Sequence, residues 1–380
     1  MIPIVVVFDD SNHRGQETAP TDFIPFGESD LSKKKVGVQL PKQAQNQTLE
    51  QRYGLELEAL SKVADIVEIR ADTPAEFAAG VQDVDAIVTS WGLRIDKQVI
   101  NSMKKCVVIG VGSVGVDMVD IEAATAAGIV VTNVPDVFIE EVADYAMMLL
   151  LNVSRLTPTM ARMAKTGDWY QARPLLSRVP RVMGQTLGLF AFGNVARCTA
   201  RRAKAFGMHV IAYDPYVSEL EMSALGVEPV SFSELLARSD YLSVHAPHND
   251  ETEHAINAAA FAQMKNTAIV INTARGPIID EKALIEALRS GAIAGAGLDV
   301  LEQEPPALDN PLLSMENVLV TPHVASASTR MRPETRRRAA REVALVLRGR
   351  WPMSCVNPTV LPKVILERWQ PYPMSRGPNR

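Results

Sequence analysis

Arg275, Glu304 and His323 each follow a short apolar run in the second half of the chain, within the segments INTARG, LDVLEQE and LVTPH. Together the three fit one reaction. Hydride transfer to a 2-oxo acid needs a cation for the carboxylate, an acid for the oxygen that gains charge, and a dinucleotide beside both. Arginine offers a carboxylate a planar fork of donors. Histidine titrates near neutral pH, and a neighbouring carboxylate favours its charged form and orients the ring. Each residue alone also has an ordinary reading: a structural imidazole after Pro322, or a surface charge at Arg275. The three cysteines, Cys106, Cys198 and Cys355, are scattered. They predict neither a metal site nor a disulfide framework, and they fit a reducing cytoplasm.

The dinucleotide half of that chemistry falls to residues 184–216. The pattern predicts a strand at 186–190, a turn at Gly193, a helix at 194–206, a stop at Gly207, a strand at 209–213 and an acidic end at Asp214. In this βαβ order a pyrophosphate rests on the helix N-terminus and the acid takes the ribose hydroxyls. The glycine fingerprint is incomplete: it reads Ala191-Phe192-Gly193-Asn194-Val195-Ala196, with only the middle glycine kept. Alanine at the first place is expected to require a turn with φ below zero. Alone, the stretch fits a plain buried βαβ unit as well as a cofactor site.

The elements that would position these residues alternate along the chain. Its 380 residues suggest two domains, and 47% hydrophobic residues supply two cores. A net charge of −5 with 22% charged residues gives no reason to expect nucleic acid or a membrane surface as partner. No apolar run approaches a membrane span. A first strand is expected at 2–8, followed by a polar insertion at 9–50 in which the lysines at 33–35 form a solvated face. Helices are expected at 49–62, 74–81, 95–103 and 121–127, with strands at 66–69, 86–89, 107–111 and 129–132. A connecting helix at 140–153 then leads into the dinucleotide half. Beyond Asp214 the spacing predicts helices at 232–238, 257–263 and 281–290 and strands at 241–245, 268–272, 294–299 and 318–321. Such alternation predicts an α/β fold of parallel sheets covered on both faces. The loop at Trp91-Gly92, the His245-Ala246-Pro247 turn, Thr273 to Arg275, Asp299 and His323 all fall at strand C-terminal ends, where such sheets bind ligands. The helix at 327–347 carries six arginines and reads as amphipathic with a solvated basic face. The apolar stretch at 364–369 is expected to pack on the core or a partner subunit.

Four segments carry a family resemblance: VIGVGSVGVDMVDIEAATAAGIVVTNVP (108–135), NTARGPIIDEKALIEAL (272–288), GAGLDVLEQEPP (295–306) and NVLVTPHVASAS (317–328). In this order they resemble the NAD-dependent D-isomer-specific 2-hydroxyacid dehydrogenases, over roughly residues 55–357. The resemblance implies two Rossmann-like domains, one flavodoxin-like and one dinucleotide-binding, with the active site in the cleft between them. The substrate domain would comprise 1–136 plus 325–380, and the NAD-binding domain 137–324. It implies Arg275 on the substrate carboxylate, His323 as acid/base and Glu304 as its partner. Asp299 would bind the nicotinamide carboxamide. Asp214 would hold the ribose, favouring NAD(H) over NADP(H). Phe192, Gly193, Asn194 and Val195 would meet the pyrophosphate, and Pro215, His245, Ala246, Pro247 and Thr252 the adenosine. Thr273, Ala274 and Ala325 would lie on the nicotinamide side, and Trp91 and Gly92 on the substrate. The expected partners are a small 2-oxo or 2-hydroxy acid and a second copy of the chain. Two alternatives share the fold: an NAD(H)-sensing corepressor-like protein and a phosphite- or formate-type dehydrogenase. For formate the resemblance leads one to expect glutamine where Glu304 stands.

Overall fold

In the first half, strands of three to seven residues form: β1 (Lys34–Leu40), β2 (Ala64–Arg70), β3 (Ala86–Thr89), β4 (Val108–Val111) and β5 (Val130–Thr132). The computed structural model describes residues 33–40, 47–90 and 92–369. These five strands make one parallel sheet in the order β2-β1-β3-β4-β5, the flavodoxin-like order. Between them run α1 (Leu49–Leu60), α2 (Pro74–Gly80), α3 (Lys97–Ser102) and α4 (Ile121–Ala126). Each helix begins on a side-chain cap, from Thr48, Thr73, Asp96 and Asp120 in turn, which satisfies an otherwise orphaned backbone donor. At Thr48 the cap is reciprocal with Gln51.

The second sheet has seven parallel strands in the order β12-β11-β10-β9-β6-β7-β8. Its members are β6 (Thr186–Phe190), β7 (His209–Tyr213), β8 (Glu228–Pro229), β9 (Tyr241–Val244), β10 (Ile269–Asn272), β11 (Gly295–Leu298) and β12 (Val318–Val320). The strand order reverses between β6 and β9, the switch point at which doubly wound sheets bind nucleotides. Crossing into this sheet is α5 (Ile139–Ser154), followed by α6 (Thr157–Thr166). Leu149 and Leu150 of α5 are fully buried with Leu187 and Ile271 of the sheet; each such side chain stabilises by roughly 2 kcal/mol. The remaining helices are α7 (Asn194–Ala205), α8 (Glu219–Ala224), α9 (Phe232–Arg238), α10 (Ala258–Phe261), α11 (Glu281–Ser290) and α12 (Met331–Leu347).

Several expectations need correction. The stretch read as an insertion contains β1, an inner strand paired with both β2 and β3. Val36 is buried and Leu40 nearly so. The lysines beside them masked this short apolar signal, and they are paired: Lys35 with Asp83 at 2.6 Å and Lys34 with Asp85 at 3.7 Å. The strand expected at 2–8 lies outside the described residues. The arginine-rich helix is not simply solvated either. α12 lies along α1, with Arg336 on buried Glu56 at 2.5 Å and Arg337 on Glu58 at 2.9 Å; Arg338 pairs with Glu342 at 2.8 Å. Its apolar face, Ala339, Ala340, Val343 and Ala344, closes the core of the first sheet with Val36, Val88 and Val108. The segment after α12 packs there too: Val360 is buried, and Val364 and Leu366 lie against the same core.

Candidate active site

At the end of β6, Ala191 donates its amide to Tyr213 O at 2.8 Å and holds φ at +74°. This overturns the expected negative φ: the alanine takes the left-handed conformation that glycine adopts without strain. Phe192 is buried, and its amide donates to Asp214 Oδ2 at 2.8 Å. Asp214 Oδ1 accepts from the Tyr216 amide at 2.8 Å. The carboxylate therefore ties together the turns that follow β6 and β7. Gly193 caps α7, and a side chain there would meet nothing within 4 Å. Asn194 and Val195 open the first turn of α7, which carries no acid. An open helix N-terminus of this kind suits an anion.

Beside that turn is a cavity of about 210 Å³ walled by Ala191, Asp214, Pro215, Ala246, Pro247 and Thr252, with the Phe190, Tyr213 and Phe232 rings behind. Across one side, the Tyr216 hydroxyl donates to Glu251. Thr252 Oγ1 donates to Pro247 O at 2.6 Å and so fixes the loop. His245 does not line this cavity. Its ring Nε2 lies 2.9 Å from Ser243 Oγ, and burial pushes its pKa down to about 4.

At the end of β10, buried Asn272 clamps the next turn, accepting from the Ala274 amide at 2.9 Å and donating to Arg275 O at 2.9 Å. Thr273 Oγ1 is buried with no partner, an orphaned hydroxyl of the sort that a bound ligand satisfies. Arg275 Nη1 donates to Ala274 O at 2.7 Å, and its Nε donates to Asp117 Oδ2 at 3.2 Å. Asp117 belongs to the loop after β4, so this contact joins the two sheets' ligand-binding edges. A Cβ at Gly115 would lie 1.9 Å from Arg275 Nη2. The missing side chain at 115 makes room for the guanidinium.

His323 follows β12 with φ +53°. Its Nδ1 lies 2.7 Å from Glu304 Oε2, and Glu304 Oε1 accepts from the Leu301 amide at 3.1 Å. Burial works to raise the Glu304 carboxyl. The hydrogen bond with His323, the His323 charge, the Leu301 amide and the Arg275 charge outweigh it, and the carboxyl stays below its ordinary range. Buried Asp299 holds the loop in place. Its carboxylate accepts from Thr321 Oγ1 at 2.6 Å, the Val324 amide at 3.0 Å and the Ala325 amide at 2.7 Å, and its carbonyl accepts from the His323 amide at 2.8 Å.

Of the substrate-side residues, Trp91 lies outside the described residues. Gly92 is exposed, and the next amide, Leu93 N, donates to Gln39 Oε1 at 2.9 Å. Gln39, Gly115, Asp117 and Thr321 escaped the sequence reading. Among the described residues no group of three or more His, Cys, Asp or Glu could hold a metal. No described helix is long and apolar enough to cross a membrane.

Residues 147–325 match a family model described as the D-isomer specific 2-hydroxyacid dehydrogenase, NAD binding domain. Over 282 residues the chain is 41% identical to a glyoxylate reductase from Korarchaeum cryptofilum, covering 74% of this chain and 85% of that protein. The chain belongs to the D-isomer specific 2-hydroxyacid dehydrogenase family. A nicotinamide dinucleotide is accordingly the cofactor of its second sheet. Another family member, the D-3-phosphoglycerate dehydrogenase of Methanocaldococcus jannaschii, is 38% identical over 317 residues, covering 83% of this chain. The chain spans only 60% of that relative's length. Among solved structures, an NADPH-dependent glyoxylate/hydroxypyruvate reductase from Sinorhizobium meliloti, in complex with NADP and malonate, superposes with a TM-score of 0.72 at 32% identity. It covers 86% of this chain and 98% of its own.

Proposed function

We propose that this family member interconverts a 2-oxo acid and its D-2-hydroxy acid, with Arg275 holding the carboxylate and His323 moving the proton. The observation that carries the reading is the His323–Glu304 pair at 2.7 Å, on a loop fixed by Asp299. When bound, the dinucleotide supplies or accepts the hydride. Arg275 receives the carboxylate, with Nε kept on Asp117 and its fork oriented by Ala274 O. Glu304 engages Nδ1, which assigns the travelling proton to Nε2. In reduction the imidazolium gives that proton to the substrate oxygen, and Glu304 stabilises the cation beforehand.

The cofactor would lie with its pyrophosphate over Gly193, Asn194 and Val195, and its adenosine in the cavity of Pro215, Ala246, Pro247 and Thr252. Thr273, Ala274 and Ala325 would border the nicotinamide; the orphaned Thr273 hydroxyl supports that assignment. NAD(H) is preferred to NADP(H) because a 2′-phosphate would meet the Asp214 carboxylate at the cavity wall. The substrate domain is proposed as 1–136 plus 325–380 and the cofactor domain as 137–324. A homodimer is supported by Trp169 and Tyr170, each at least 69% exposed in the stretch after α6.

The test is Arg275→Ala and His323→Ala, assayed on a panel of 2-oxo acids with NADH and NADPH. Each is expected to lower turnover by about 100-fold or more while NADH binding persists. Wild-type turnover in the His323 variant would sink the assignment. Tight NADH binding without turnover on any acid by the unaltered protein would favour a sensor.

A further inference from the structure

Two arginines near the C-terminal end of α12, Arg341 within it and Arg348 just after it, have no part in the proposed reaction. Arg336, Arg337 and Arg338 meet acids on α1 and α12, but Arg341, one turn further on, and Arg348, at the helix C-cap, make no side-chain hydrogen bond or ion pair among the described residues. Lys62, just past the end of α1, is likewise exposed and unpaired there. These three cations rim a groove of about 540 Å³ between α1, α12 and the segment that carries Trp369. Its floor is apolar, with Leu55 and Ala59 from α1, Leu345 from α12 and Trp369 as a side wall. The indole is held in place: its Nε1 donates to Trp351 O at 2.8 Å, and the Arg350 guanidinium stacks 4.8 Å from its ring. The groove's two acids are occupied, Glu58 by Arg337 and Glu342 by Arg338 and the Met353 amide. An excess of positive charge is left over a hydrophobic bed, in a chain whose net charge is −5.

We propose that this groove is a second ligand site, for a small anionic amphiphile: a phosphate, sulfonate or carboxylate head on a flat apolar body. The head would sit between Arg341, Arg348 and Lys62, where arginine forks suit its oxygens. The body would lie on Leu55, Ala59 and Leu345 against the Trp369 face. The volume is that of a small-molecule pocket. Residues 370–380, which continue from Trp369, contain Arg376 and Arg380 and no Asp or Glu. That segment offers no side chain of opposite charge. All the residues invoked lie outside the proposed catalytic and dinucleotide sites.

The probe is anilinonaphthalene sulfonate, titrated into the full chain with and without saturating NAD+, which neither absorbs tryptophan emission nor fluoresces with the probe, and read by its own emission and by energy transfer from tryptophan. Arg341→Gln/Arg348→Gln is expected to weaken binding by about tenfold or more, and Trp369→Phe to lower the energy transfer, with Trp351 beside it supplying the remainder. Inorganic phosphate should compete in the unaltered protein and not in the double variant. Turnover should stay unchanged in both variants, and the thermal midpoint in the double variant. Equal probe affinity in the double variant, or displacement of the probe by NAD+, would overturn the proposal. The Trp369→Phe variant keeps the test decisive should the double variant fold poorly: undiminished energy transfer in it would place the probe elsewhere.

Discussion

Asp299→Asn is the perturbation from which the arrangement of the site draws the sharpest consequence. The buried carboxylate accepts three hydrogen bonds, two of them from the successive amides of Val324 and Ala325. An amide of the same shape cannot accept on both sides, so at least one of those N–H groups would face another donor. Hydrogen bonds to a charged group contribute about 1.5–3 kcal/mol each, and a buried unsatisfied donor costs about 1–3 kcal/mol. Losing one bond and orphaning its donor gives a destabilisation of about 4 kcal/mol, a large part of the 5–15 kcal/mol typical of folded proteins. The same loop carries His323, the proposed acid/base, and misplacing a catalytic group by about 1 Å costs on the order of 100-fold in rate. Urea unfolding and steady-state turnover should therefore fall together. Thr321→Val removes only the hydroxyl bond and should fall between, at about 1.5 kcal/mol. An Asp299→Asn protein within about 1 kcal/mol of the original, with its turnover intact, would refute the claim that this carboxylate holds the His323 loop.

Three further outcomes follow from the geometry. Gly115→Ala puts a methyl where Arg275 Nη2 lies. The guanidinium can swing away, so the thermal midpoint should hold while KM for the 2-oxo acid rises about tenfold; an unchanged KM would show that Arg275 does not need this space. His245 is depressed from 6.5 to about 4 by burial, so the unfolded chain binds the proton first. Its contribution is complete above about pH 6.5 and is lost as pH falls toward 4, by on the order of 3 kcal/mol. Urea midpoints from pH 7 to 4.5 should fall less steeply in His245→Gln, and parallel curves would refute this. Ending the chain after Pro358 removes buried Val360 and half-buried Val364 and Leu366; stability should drop by roughly 3 kcal/mol, and an unchanged melting curve would count against the packing described.

What the sequence could disclose followed from the range of its signals. The strand Thr186–Phe190, the helix end at Gly207 and the helix Glu281–Ser290 were legible because apolar spacing and a stop glycine are local. β1 was not, because two or three apolar residues beside a lysine run resemble a loop until β2 and β3 flank them. β8 has two residues and no period to detect. Arg275, Glu304 and His323 could be singled out by residue type, but Asp117 lies 158 residues from the arginine it touches, and no local pattern announces it. The Asp299 side chain illustrates the same limit: its position at a strand end was legible, whereas its three bonds into the His323 loop needed the fold.

The return of α12 to the first sheet sets an order of assembly on the ribosome. The core around Val36, Val88 and Val108 stays open until Ala339, Val343 and Val360 arrive, about 200 residues after β5 has emerged. At roughly 5–20 residues per second that is a wait of about 10–40 s. The second sheet, contiguous in the chain, can meanwhile form its own packing. The unit made first is thus finished last, and its exposed strands during that interval are where a chaperone or an aggregating neighbour would find this protein.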